Sequence, residues 1–271
     1  MKKIIRTTVA MATTCFIGGA TLLAHTSYVL PNVFSTSKGE RMTAVASFTE
    51  NFFVPDFKVE SDDFHLILPS GDKADYGNIA IFDQLTVLES ALNEDGTYRF
   101  STGDRLGRKF KMMFVDGAWD YVGSSMGEDA KSDPIPEGVK VADFQTQTVA
   151  IAYVTKGAPT QPALEQKGSG LEILPVTHPS EVYVEEPFEF ILTFNGKPMN
   201  GHEISIFRQG ASYEEPKYKL KVMSKRKGKI SVVFDEPGVY VAMTRHQDRA
   251  PEGSETPYRS YTISLTFEVQ R

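Results

Sequence analysis

Five histidines, His25, His65, His178, His202 and His246, are the residues of this chain best suited to holding a transition-metal ion, because neutral imidazole ligates zinc, copper, iron and nickel. They form no local metal motif. The sequence has no H-E-x-x-H, no C-x-x-C and no calcium loop, so any site must be assembled from distant segments. His25 has a second donor available. If export cleavage leaves it first, its α-amine and a ring nitrogen can close one chelate ring, a pairing that suits Cu(II) or Ni(II). His178, within Val176-Thr177-His178-Pro179, follows the first strand after a linker, where an inter-domain contact is expected; the bland alternative is a turn residue ahead of proline. His246 ends a strand and enters the polar loop 247–257, and loops carry function disproportionately. His25, His178 and His246 are therefore the candidate metal ligands. His65, in the alternating run 64–68, reads as a solvent-side strand residue, and His202 reads as part of the turn begun by Asn200-Gly201.

One match to an enzyme pattern occurs, Gly123-Ser124-Ser125-Met126-Gly127, which fits the G-x-S-x-G nucleophile elbow. The elbow works only when a strand feeds the serine and a helix leaves it. An acidic, proline-containing loop follows here, so the motif reads as a Gly/Ser loop. His246 and Asp248 lie downstream, but nearness in sequence does not make a triad. No catalytic residue is expected and the chain reads as a binding protein rather than an enzyme.

The N-terminus reads as an export signal. Lys2, Lys3 and Arg6 precede an uncharged stretch, 7–24, that is too short and too rich in Thr and Gly for a membrane span. Cleavage after Ala24 makes His25 the first residue; Gly18-Gly19-Ala20 offers a competing cut. The single cysteine, Cys15, lies inside the signal, which leaves the mature chain without a thiol. Loss of the three cations Lys2, Lys3 and Arg6, with no acid, takes the formal charge from −6 to −9. Such a surface excludes nucleic acid as a natural partner and is compatible with attracting cations. A soluble periplasmic protein with no membrane span after cleavage is expected.

The elements that must position these residues are strands. Short β-branched and aromatic runs bounded by Gly, Pro, Asn and Asp recur at 43–48, 64–68, 97–102, 109–115 and 147–154, then at 171–176, 188–194, 203–207, 229–234, 239–245 and 261–269. The last alternates Tyr261, Ile263, Leu265, Phe267 and Val269 with polar residues, which predicts a half-buried strand closing an antiparallel sheet. The stretch 157–170 loses periodicity and gathers Gly and Pro, so it reads as a linker. The expected fold is all-β, with two antiparallel β-sandwich domains: signal 1–24, first domain 25–156, linker 157–170 and second domain 171–271.

Ala24-His25, EDGTYRF at 94–100, VTKGAPT at 154–160, GLEILPVTHP at 170–179 and FNGKPMNGHEISI at 194–206 occur in one order. In these segments the chain resembles the periplasmic family called domain of unknown function 4198, also described as NikM-like or nickel-transport-like. That resemblance implies an exported β-sandwich protein whose second domain is immunoglobulin-like. It also implies a link to uptake of nickel, cobalt or another transition metal. Copper enters through the amine–imidazole pair at His25, and an envelope transporter or receptor is the expected partner besides the metal ion. Only His25 and His178 fall on the family's recurring motifs. The family's acidic-aromatic segment often ends Asp-His, whereas this chain reads Asp56-Phe57. The alternative function is a metal-free adhesion or complex-assembly module of the cell envelope.

Overall fold

The computed structural model describes residues 25–122, 135–210 and 220–271. The stretch 1–24 expected to be a signal, with Cys15, and the elbow motif with Ser125 lie outside them. Apolar residues recur at every second position between turn residues, and the chain folds accordingly into strands. The first half contains β1 (Thr26–Pro31), β2 (Ser35–Thr36), β3 (Arg41–Thr49), β4 (Phe57–Lys58), β5 (His65–Ile67) and β6 (Lys73–Ala74). It continues with β7 (Asn78–Ile81), β8 (Thr86–Ala91), β9 (Gly96–Ser101), β10 (Arg105–Val115), β11 (Ala118–Tyr121) and the long β12 (Lys140–Lys156). The second half contains β13 (Leu171–Pro175), β14 (Pro187–Phe194), β15 (Lys197–Pro198), β16 (Glu203–Arg208), β17 (Leu220–Met223), β18 (Lys229–Val233), β19 (Gly238–Arg249) and β20 (Tyr258–Val269). Among the described residues the helical segments are single 3-10 turns, Pro162–Leu164 and Arg226–Gly228. No helix among them is long and apolar enough to cross a membrane.

The strands make three sheets. The first runs β1-β3-β8-β7 with β4 beside β3; the second, of eleven strands, runs β17-β16-β19-β20-β12-β9-β5-β6 with β2, β10 and β11 attached; the third joins β13, β14, β15 and β18. The second sheet is a shared middle layer. Ala150, Ala152 and Val154 of β12 pack with Met42, Leu88 and Phe100 against the first sheet. Ile151 and Tyr153, on the opposite face of the same strand, join Phe190, Leu192 and Leu265 against the third. Alternation along one strand thus serves two cores. The 157–170 stretch also takes part, since Ala163 and Leu164 are buried in the second core.

Over 171–271 the order is that of an immunoglobulin-like sandwich: β13-β14-β18 on one side, β17-β16-β19-β20 on the other. Tyr240, near the start of β19, donates its hydroxyl hydrogen to the Glu236 carbonyl at 2.8 Å, which is the tyrosine corner of such folds. One sequence expectation is corrected. β20 is not a half-buried closing strand, because Thr262, Ser264 and Thr266 are buried along with its apolar residues. The cause is its position: it pairs antiparallel with β19 and parallel with β12, and β1 covers its hydroxyl face, where Ser264 donates to the Ser27 carbonyl at 2.6 Å.

Candidate functional site

His25 stands where the first strand begins. β1 pairs antiparallel with β3, Thr26 opposite Thr49, so His25 meets the far end of β3 and the turn that follows. That turn returns as β4, with Phe57 opposite Phe48. Its shape is fixed locally. The Glu50 N–H donates to Asp56 Oδ2 at 2.8 Å, and Thr49 Oγ1 lies 2.6 Å from the carbonyls of both Asn51 and Val54. Phe53 adopts a left-handed φ of 71°, a conformation costing about 1 kcal/mol or more for a non-glycine residue. Packing holds it there: Phe53 meets Tyr28 at 5.5 Å, and Phe52 meets Phe207 of β16 at 4.7 Å.

The turn thereby aims two carboxylates at one imidazole. His25 Nε2 lies 3.6 Å from Glu50 Oε1 and 3.8 Å from Asp56 Oδ2. Phe57 closes one flank, its ring centroid 5.0 Å from that of His25. Below the cluster, burial and then the Asp56 charge push the Tyr28 phenol well above its ordinary range. With both acids facing Nε2, the ring is biased to carry its hydrogen there, which leaves Nδ1 as the lone pair. A carboxylate on the outer nitrogen is the usual way a metal-bound imidazole is oriented. Among the described residues no group of three His, Cys, Asp or Glu side chains is arranged to hold a metal ion; a chelate here therefore needs the α-amine that cleavage before His25 would free.

His178 sits elsewhere, at the junction of the halves, and is buried. Its Nδ1 accepts from the Ser180 backbone N–H at 3.2 Å and lies 2.7 Å from Ser180 Oγ. Its Nε2 lies 3.0 Å from Thr97 Oγ1 of β9 and 3.3 Å from the Thr160 carbonyl. Both ring nitrogens are thus engaged by protein groups. His246 lies on the part of β19 opposite Tyr261. Its neighbour is His202, whose ring centroid is 5.6 Å away. His65 lies against a narrow pocket shared by Arg99, Asp104, Lys167 and Glu172, with Nδ1 2.6 Å from the Asp63 carbonyl.

Sequence reading singled out His25 and missed Glu50 and Asp56, although Asp56-Phe57 was visible as a departure from the family pattern. It also left His202 as a turn residue.

These features define an all-β sandwich protein with a histidine and two carboxylates at the start of its first strand. The chain belongs to the family described as Domain of unknown function (DUF4198), whose pattern matches residues 22–248. No curated protein matches it. Among solved structures it is similar to the Yersinia pseudotuberculosis adhesin InvE, with 9% identity and a TM-score of 0.22, over 89% of this chain and 58% of that one. The chain thus spans little more than half of the adhesin's length. It is also similar to the D0-D1 domain of intimin, with 11% identity and a TM-score of 0.21, over 88% of this chain and 96% of that one.

Proposed function

We propose that the mature chain begins at His25 in the periplasm and binds one transition-metal ion, nickel, cobalt or copper, for storage or delivery to an envelope transporter or receptor. The observation that carries this reading is the pair of carboxylates, Glu50 and Asp56, facing His25 Nε2. They favour Nδ1 as the donor, and Nδ1 with the α-amine closes a six-membered chelate ring. Two nearby anionic groups further stabilise a divalent ion electrostatically. The chemistry asked of the chain is binding, and no residue is assigned a catalytic step.

The test has two parts. The mass of the protein exported by its own host is expected to match a chain starting at His25. Calorimetric titration of that chain with Cu(II), Ni(II) and Co(II) is expected to show one equivalent whose binding depends on His25. Binding no tighter than that of His25→Ala at the same equivalence, or a chain starting at Thr21, would reject the reading.

An envelope-assembly role has its own supporting observation. β7 ends the first sheet, and Ile79, Ile81 and the adjoining Phe82 are exposed, a combination that recruits strands from other chains. A partner that co-purifies with the protein and is unaffected by chelators would favour it.

A further inference from the structure

We propose that His202 and His246 form a second transition-metal site, separate from His25 and independent of signal cleavage. Their ring centroids are 5.6 Å apart with planes at 78°. Two imidazoles on one ion, each bound at about 2.0–2.1 Å, hold their ring centres roughly 4.5–6 Å apart, so the observed spacing accommodates a shared ion without rebuilding the backbone.

The hydrogen-bond partners assign the donors. His202 Nε2 lies 3.1 Å from the Arg245 carbonyl oxygen, which can only accept, so Nε2 carries the hydrogen and Nδ1 holds the lone pair. His246 Nε2 faces Asp248 Oδ2 at 3.7 Å, which biases that ring the same way. Each imidazole thus has an oxygen against Nε2 and its lone pair on Nδ1, and an oxygen on the nitrogen that does not ligate is what orients metal-binding histidines.

Both rings are also held in place. The His202 backbone N–H donates to Ser224 Oγ at 2.9 Å, and the Ser224 N–H donates to the His202 carbonyl. His246 lies within the β19–β20 ladder opposite Tyr261, and Phe194 packs on it at 4.7 Å. Burial holds both imidazoles below their ordinary range, with the His246 charge as the next cause at His202, so a metal displaces no proton at neutral pH. The acids facing the pair, Glu203 and Asp248, oppose those shifts and favour a cation. Two imidazoles leave the remaining positions to water or to a donor from another molecule, which suits Cu(II), Ni(II) or Zn(II).

The test uses the processed protein carrying His25→Ala, titrated with Ni(II) and Zn(II) at about pH 7.5, where imidazole is neutral. One equivalent is expected to bind. Adding His202→Gln and His246→Gln is expected to weaken it tenfold or more. Unchanged affinity in the triple variant overturns the pair. So does absence of binding by the His25→Ala chain; if the unmutated protein still binds one equivalent, the His25 site alone stands. To guard against a disturbed turn, the ring nitrogen resonances of the unmutated, folded protein are followed with Zn(II). Shifts of Nδ1 at both His202 and His246 support the site, and a shift at fewer than both overturns it.

Discussion

The Phe57 ring stands edge-on to the His25 imidazole, centroids 5.0 Å apart and planes at 65°. The contact follows from two strand pairings, Thr26 with Thr49 and Phe48 with Phe57, which bring residues far apart in the chain together at one end of β3. Phe57 remains 56% exposed, so an apolar ring occupies the open flank of the proposed chelate.

A nitrogen donor at that flank should join the chelate. Phe57→His is expected to raise the affinity of the processed protein for Cu(II) or Ni(II) at least tenfold, about 1.4 kcal/mol, measured by competition with a chelator of known strength. Because the position is exposed, little stability should be lost. Unaltered affinity in a folded variant would mean that the ion does not sit beside His25.

Acid should destabilise the fold before its carboxylates titrate. His65, His178, His202 and His246 all have imidazoles held below their ordinary range, with burial the largest cause at each. The unfolded chain therefore binds more protons than the folded one once pH falls below about 6.5. Stability is complete above that value and is lost as pH drops from it through the depressed folded values. Urea midpoints of metal-free protein between about pH 7.5 and 5.5 should fall with pH; a flat profile would contradict the burial argument.

Much of the fold was legible because strand composition and turn residues are local signals. Each of the eleven runs read from the sequence overlaps a strand. β1 was missed because its six residues follow directly on the stretch read as a signal, and its partner β3 can be recognised only once the sheet exists. The polar face of β20 was read as solvent-exposed since Thr262, Ser264 and Thr266 look alike in sequence whether they face water or β1. His25 stood out by its place behind the stretch read as a signal. Glu50 and Asp56 did not, because acids in a turn are ordinarily solvated and only the β1–β3 register gives them an imidazole. The His202–His246 contact was hidden for the same reason: it depends on the pairing of β16 with β19, set by Ser205 opposite Met243.

His178 was read as a candidate ligand at the junction, and its surroundings predict a structural effect. Its ring links Thr97 of β9 to Thr160 and Ser180. Replacement by alanine opens a cavity and leaves buried hydrogen-bonding groups without partners, at a combined cost of about 2–4 kcal/mol. Chemical denaturation of His178→Ala should show that loss, while metal affinity at a temperature where the variant is folded should stay within about twofold, or 0.4 kcal/mol. A large fall in affinity with little loss of stability would instead make His178 a ligand.

The carboxylates that face His25 depend on a contact between the two halves of the chain. Phe52 lies in the turn between Glu50 and Asp56, is 9% exposed, and packs with Tyr28, Phe207, Val241 and Met243. Phe52→Ala is expected to cost about 3–5 kcal/mol. It should also loosen the turn, so that metal binding at His25 weakens even in conditions where the fold persists. Phe52→Leu keeps most of the volume and should cost clearly less, with binding nearly intact. Titration of both variants below their unfolding temperatures separates the two effects. If Phe52→Ala lowers stability by the expected amount yet binds metal as tightly as the unmutated chain, then the α-amine and Nδ1 of His25 suffice, and Glu50 and Asp56 do not tune the site.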